Sequence, residues 1–296
     1  MKNALLKMHL AVFLWGFTGV LGRAIELAEF PLVWYRTFIT AIIFLGILLA
    51  RKEFVKISTK ELIQFAKIGS IIAIHWVAFY GSIKYANASI ALTCLATAGI
   101  FTAFLEPIVL KTKFNPKELV IGLIALIGMY CIYHFEIKYA VGILLGVGAA
   151  MLSSVFTIMN KKIVNSYPSR MVAFYEIGSG FLLLTLLAPF YMHYLPQTNF
   201  VPTQMDLVWL GVLSLCCTVW GQSLALSALK KLSSFTTVLM VNLEPVYGIV
   251  LAMFFYHENK DLGIGFYIGI SLIAVSVGIH TMSMILENKK LEKISS

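Results

Sequence analysis

The sequence is poor in charge. Only 12% of its 296 residues are Asp, Glu, Lys or Arg, about half the share of a soluble domain. Aspartate is nearly missing: Asp206 and Asp261 are the only two, both at the ends of apolar runs, which leaves no pair for intramembrane acid–base chemistry. There is no His-Glu-x-x-His and no Gly-x-Ser-x-Gly, so the usual zinc and serine hydrolase signatures are absent. No Gly-x-x-x-x-Gly-Lys-[Ser/Thr] loop occurs, and the longest connection leaves no room for an ATP-binding domain. The four cysteines, Cys94, Cys131, Cys216 and Cys217, lie inside apolar runs without metal-ligand spacing. They read as small buried hydrophobes. Nothing in the sequence asks for a metal, a cofactor or an enzyme assignment.

What is present is apolar. Hydrophobic residues make up 59% of the chain, with 21 Phe, 13 Tyr and 5 Trp, and the mean hydropathy is +0.87. One water-soluble core cannot hide that surface, and so many aromatics exclude disorder. A bilayer crossing takes about 20 apolar residues. Runs broken by charge, Gly, Pro or Asn give ten such segments, at 6–25, 31–50, 62–85, 88–110, 117–135, 140–160, 171–191, 206–229, 233–256 and 263–285. The first has Trp15-Gly16 at its middle and no clean small-x-small site after it, so it reads as a span and not as a signal peptide. The expectation is an all-α membrane protein with ten transmembrane helices.

The net charge of +9 is scattered between apolar runs, unlike the basic face of a nucleic-acid binder. With the N-terminus inside, the cytoplasmic segments collect basic clusters such as Arg51, Lys52 and Lys56, or Lys289, Lys290 and Lys293. The opposite side keeps Arg23, Lys84, Lys138 and Lys260, and Arg36 stays within a span. That bias places both termini in the cytoplasm. Trp34, Tyr35, Tyr139 and Tyr191 fall near span ends, where amphipathic rings favour the interface.

The halves echo each other. An offset of 145 residues lays Ser82 on Ser227, Ser89 on Ser234, His75 on Trp220 and Thr97 on Asn242. An offset of 140 lays Trp34-Tyr35-Arg36 on Phe174-Tyr175-Glu176, with Pro31 and Pro168 just ahead. Two units, 1–138 and 139–296, each with five crossings, must lie in opposite orientations: an inverted repeat, with a substrate site expected near the midplane. Leu105-Glu106-Pro107 and Leu243-Glu244-Pro245 look alike, but their register differs from that of the serines by seven residues. Glu106 falls at the cytoplasmic end of its span and Glu244 near mid-bilayer, so they are expected to do different jobs.

Trp15-Gly16 in span 1, Pro31-x-x-x-Tyr35-Arg36 opening span 2, and the junctions SIKYANAS (82–89) and LSALKKLSS (226–234) resemble the drug/metabolite transporter superfamily. The specific likeness is to its EamA-type ten-helix exporters, and it covers nearly the whole chain. The resemblance implies an inner-membrane carrier of amino acids, other metabolites or drugs, with a central cavity shared by two EamA domains. Many relatives carry a Pro in span 4 near Ala98-Gly99, which is absent here.

Ionisable groups in hydrocarbon are costly and normally face the protein interior. Glu244 stands out. A carboxyl beside Pro245, which frees a backbone carbonyl one turn earlier, either binds a substrate amine or a proton or else glues helices together. His75 and Trp76, with Tyr80 one turn on, sit mid-span; the histidine either titrates or holds one hydrogen bond. Trp15, Trp76 and Trp220 occupy one depth and are expected to wall a cargo site or to pack. Arg36 and Glu176 lie about six residues from opposite sides, as gates, charge partners or anchors. Thr18, Thr97, Ser153, Ser154, Thr157, Gln222, Ser223 and Asn242 are the lesser polar candidates, and Gly142, Gly146 and Gly148 are expected to bring helices close.

These residues favour a secondary transporter that exports a small metabolite by alternating access, with protons as a possible coupling ion. The small-molecule substrate and the lipid bilayer are its partners, as a monomer or homodimer in the cytoplasmic membrane. A passive channel or a lipid scramblase stays open as an alternative, and an intramembrane enzyme lacks every signature sought.

Overall fold

Inside a bilayer the backbone has no water to bond, so apolar runs of this length coil into helices that satisfy their own N–H and C=O groups. The computed structural model describes residues 2–86, 88–132, 139–195, 198–244, 246–247 and 264–295, and among these every regular element is helical. In chain order they are α1 (Lys2–Ala24), α2 (Glu29–Arg51), α3 (Thr59–Tyr85), α4 (Ala88–Leu95), α5 (Ala98–Leu110), α6 (Pro116–Ile132) and α7 (Ala140–Ile163). There follow α8 (Ser169–Tyr194), α9 (Gln204–Leu229), α10 (Ser234–Val241) and α11 (Ile264–Ser295). Helices α2, α3, α7, α8 and α9 are each long and apolar enough to cross a membrane. Lys138, Pro245, Lys260, Asp261 and the ends expected for spans 5 and 9 lie outside the described residues.

Helix ends follow local chemistry. Ser58 and Glu61 form a capping box at the start of α3, and Thr203 and Asp206 form another at the start of α9; each satisfies N–H groups that have no partner within the helix. Asp206 also accepts the backbone N–H of Glu26 at 2.9 Å, tying α9 to the turn after α1. The end of α2 passes through Lys52 at φ 53°, whose N–H returns to Leu48 and Leu49.

Two expected spans are broken. Span 4 stops at Ala96-Thr97: the Thr97 N–H turns back to Cys94 O at 3.0 Å, and its hydroxyl donates to the same oxygen at 2.6 Å. A hydroxyl competing for a helix carbonyl breaks the ladder without proline. Span 9 stops at Asn242, whose N–H reaches Leu239 O at 3.1 Å. These are the two positions that the 145-residue offset superposes.

Packing interlocks the halves. Helix α3 lies on α7 and α8, α1 on α9, α2 on α8, and α6 on α11. Ser82 on α3 donates to Gly142 O on α7 at 2.7 Å, and Lys7 on α1 donates to Ser227 on α9 at 2.8 Å. Gly69 marks the closest crossing, for a Cβ there would sit 2.0 Å from the Glu176 carbonyl oxygen. Gly142 and Gly146 do meet a neighbouring helix, at Ala86 and Cys94. Gly148 faces open space, because two residues of helix turn it about 200° away from the buried face that runs on through Ala149, Ala150 and Ser153.

Candidate functional site

Arg36 decides the centre of the molecule. It lies on α2, 3% exposed, too deep to reach headgroups from its place in the span. Its guanidinium donates from Nε to Thr218 Oγ1 at 2.9 Å and from Nη1 to Tyr80 OH at 3.0 Å, and lies 4.0 Å from the ring centroid of Trp76. Two hydrogen bonds and a cation–π contact hold a charge that hydrocarbon alone would exclude.

Thr218 is available because α9 loosens over Leu213–Trp220 into a π-helical stretch. There the Gly221 N–H reaches back to Cys216 O, leaving Cys217 O to accept the Trp15 indole N–H at 2.9 Å. Gly221 makes that approach possible, since a Cβ would stand 2.7 Å from Trp15 Nε1. Single π turns of this kind are frequent at functional sites.

Around this pair lies a cavity of about 100 Å³, enough for several waters or a compact solute. Its walls include Trp15, Thr18, Arg36, His75, Trp76, Ser153, Thr157, Gln222 and Glu244, so nine of the residues singled out in the sequence converge on one space. Glu244, just past the break at Asn242-Leu243, faces Arg36 across it, with no ion pair joining the two among the described residues. His75 Nδ1 lies 2.7 Å from Ala149 O; a carbonyl only accepts, so Nδ1 carries the proton and Nε2 is the nitrogen left to accept or bind a second proton. Phe79 and Phe156 flank the imidazole.

Other candidates stand apart. Tyr80 is behind Arg36 as its acceptor. Ser154 is taken up by Thr102 and Ala98 O between α5 and α7, and Thr97 by Cys94 O. Asn242 is buried at its break, its amide nitrogen unpartnered. Glu176 is fully buried on α8 with neither carboxyl oxygen hydrogen-bonded, near Asn160; it pairs with no charge among the described residues. The expected wall of three indoles requires a correction: Trp15 and Trp76 line the cavity, whereas Trp220 is 53% exposed on the outer surface. The π stretch ending at Trp220 changes the helical phase, so depth alone misplaced it.

Asn160 and Thr237, not among the sequence candidates, also line the cavity, and Thr218 anchors Arg36. Asn160 precedes Lys161-Lys162 and reads as a span end, while nothing in Cys216-Cys217-Thr218 announces a π turn.

Apolar clusters flank the cavity. One, with Ile25, Leu27, Phe30 and Leu210, fills the end away from the basic loops; the other, with Phe44, Phe65, Ile163 and Leu229, lies toward them, and Trp76 packs on both. The cavity itself extends to Asn160 and Leu229, neighbours of Lys161 and Lys230.

A partly polar cavity enclosed by apolar helices long enough to span a bilayer defines an integral membrane protein. The chain matches the EamA-like transporter family over residues 2–134 and again over 140–281, and it belongs to that family. An uncharacterized transporter from Archaeoglobus fulgidus is 21% identical over 262 residues, 86% of this chain and 88% of the relative. A protein of known crystal structure shares the fold with a TM-score of 0.76 at 16% identity, covering 95% of this chain and 97% of the other.

Proposed function

We propose that the chain exports a small zwitterionic metabolite, an amino acid or close relative, across the cytoplasmic membrane by alternating access. The observation that carries this reading is that one cation and one carboxyl, Arg36 and Glu244, face a single compact cavity beside Trp15 and Trp76. Arg36 meets the substrate carboxylate and Glu244 its ammonium. The small volume favours a compact cargo over a bulky drug.

The units 1–138 and 139–296 are read as inverted five-helix repeats, ten crossings in all, counting α4–α5 and the α10 segment each as one broken span. Packing supports this: α3 on α7 corresponds to α9 on α1, while α2–α8 and α6–α11 pair with their own equivalents. Two such halves give outward- and inward-open states of similar energy. The extension of the cavity toward Asn160 and Leu229 is read as an inward-leaning state, with both termini cytoplasmic by the positive-inside bias.

Glu244 holds either the substrate ammonium or a proton, which couples exit of cargo to entry of a proton. The test is counterflow of labelled amino acids in proteoliposomes containing the full chain. Saturable, exchangeable flux is expected, accelerated by an imposed pH gradient. Flux that never saturates would make the protein a pore, and indifference to the gradient would remove the proton.

A further inference from the structure

A second pair of concavities lies outside the transport cavity. One, of about 520 Å³, is lined by Leu10, Phe13, Leu14, Ile47, Arg51 and Trp220 among others; the next, of about 490 Å³, by Lys7, Glu53, Ser169 and Ser227. Both include Arg170, Ser223 and Leu224, so they form one groove between α1, the end of α2, the start of α8 and α9. Its apolar half opens on the outer face of the spanning helices, with Leu10, Phe13 and Trp220 exposed. Its other half lies where α1 begins and α2 ends, at the membrane surface. From Ser227 to Trp220 is seven residues of helix, about 10 Å along the axis. The groove therefore runs from surface to acyl depth.

Its charge is one-sided. Three cations, Lys7, Arg51 and Arg170, share it with one carboxylate, Glu53, which Arg170 already engages. Arg51 adds its charge to that felt by Glu53, but its side chain makes no hydrogen bond or close ion pair among the described residues. Ser223 Oγ, at the junction of the two halves, is shielded from solvent and makes no hydrogen bond. A donor without a partner, spare positive charge at the surface and an apolar trough below together match an anionic headgroup continuing into a fatty chain.

We propose that this groove binds an anionic phospholipid, its phosphodiester held by Lys7, Arg51 and Ser223 and one acyl chain laid along Leu10, Phe13, Leu14 and Trp220. The exposed indole then serves as the floor of a lipid site. The cavity residue Trp15 and the lipid-facing Trp220 sit on the same α1–α9 pair, joined by the Trp15–Cys217 bond.

Native mass spectrometry of the detergent-purified full chain with equal phosphatidylglycerol and phosphatidylcholine, matched in acyl chains, reads the site without any transport measurement. Preferential retention of phosphatidylglycerol is expected. Lys7→Gln and Arg51→Gln, both at exposed positions, each lower the preference about fivefold. Trp220→Ala weakens both lipids and keeps their ratio. Three results overturn the proposal: an unchanged ratio in both Gln variants, displacement by chain-free glycerol phosphate at equal concentration, or a dimer mass in place of the lipid adduct.

Discussion

Glu106, on α5, holds the first turn of α10: its carboxylate accepts the Phe235 backbone N–H at 2.9 Å and that of Ser234 at 3.0 Å. A charged acceptor at a helix N-terminus satisfies two unpaired donors and meets the positive end of the dipole. Glu106 and Glu244, alike in their Leu-Glu-Pro setting, thus have opposite roles, one spent on the backbone and one open to the cavity. Glu106→Gln keeps one acceptor and loses the charge. We expect it to cost about 1–2 kcal/mol, seen as a lower melting temperature in detergent, with substrate KM unchanged in the folded fraction.

Glu244→Gln should do the reverse. The side chain makes no hydrogen bond among the described residues, so the melting temperature stays, while counterflow falls at least about tenfold, the effect of about 1.4 kcal/mol on the transport barrier. Normal flux in a correctly inserted variant would return Glu244 to a packing role.

Arg36→Lys retains the charge but not the fork that reaches Thr218 and Tyr80 together. An ammonium cannot keep both bonds and the flat contact on Trp76. KM is expected to rise more than turnover falls, by about tenfold for each charge-assisted bond lost; equal kinetics for Lys and Arg would show that the cavity needs only a positive charge.

The two indoles separate site from surface. Trp15→Phe removes the donor to Cys217 O and loosens the α1–α9 seam by about 1 kcal/mol, raising KM. Trp220→Phe, on the lipid face, should leave KM for the solute where it was. Both are read in the same counterflow assay.

Acid should weaken the loop contact between the halves. The hydrogen bond from Arg170 holds the Glu53 carboxyl below its ordinary value of 4.5, helped by the charges of Arg170 and Arg51 and opposed by burial. A lowered folded-state value stabilises the protein above the unfolded pKa, and that stability is lost as pH falls through the folded one. The pair lies at the surface, with Arg170 37% exposed, so the effect is under about 1 kcal/mol and shrinks with salt. Melting temperatures from pH 6 to pH 3 should fall less steeply in Glu53→Gln than in the parent.

Much of the site was legible because hydrocarbon is unforgiving of polarity: Arg36, His75, Gln222 and Glu244 stood out as polar groups at depth, and burial inside protein was the only economical answer. Thr97 and Asn242, superposed by sequence offset alone, proved to be paired helix breaks. What was hidden was rotation. Trp220 has the right depth and the wrong face, Thr218 gained its role from a π turn, and Ser154 spent its hydroxyl on Ala98 and Thr102.

The sequence by itself determined the helical membrane architecture and the repetition of its halves, because apolar run length and charge spacing act one helix at a time. Tertiary structure decided which polar groups share a chamber and which are consumed by neighbouring backbone. Those outcomes depend on helix phase and on contacts between residues as far apart as Trp15 and Cys217, which no local pattern records.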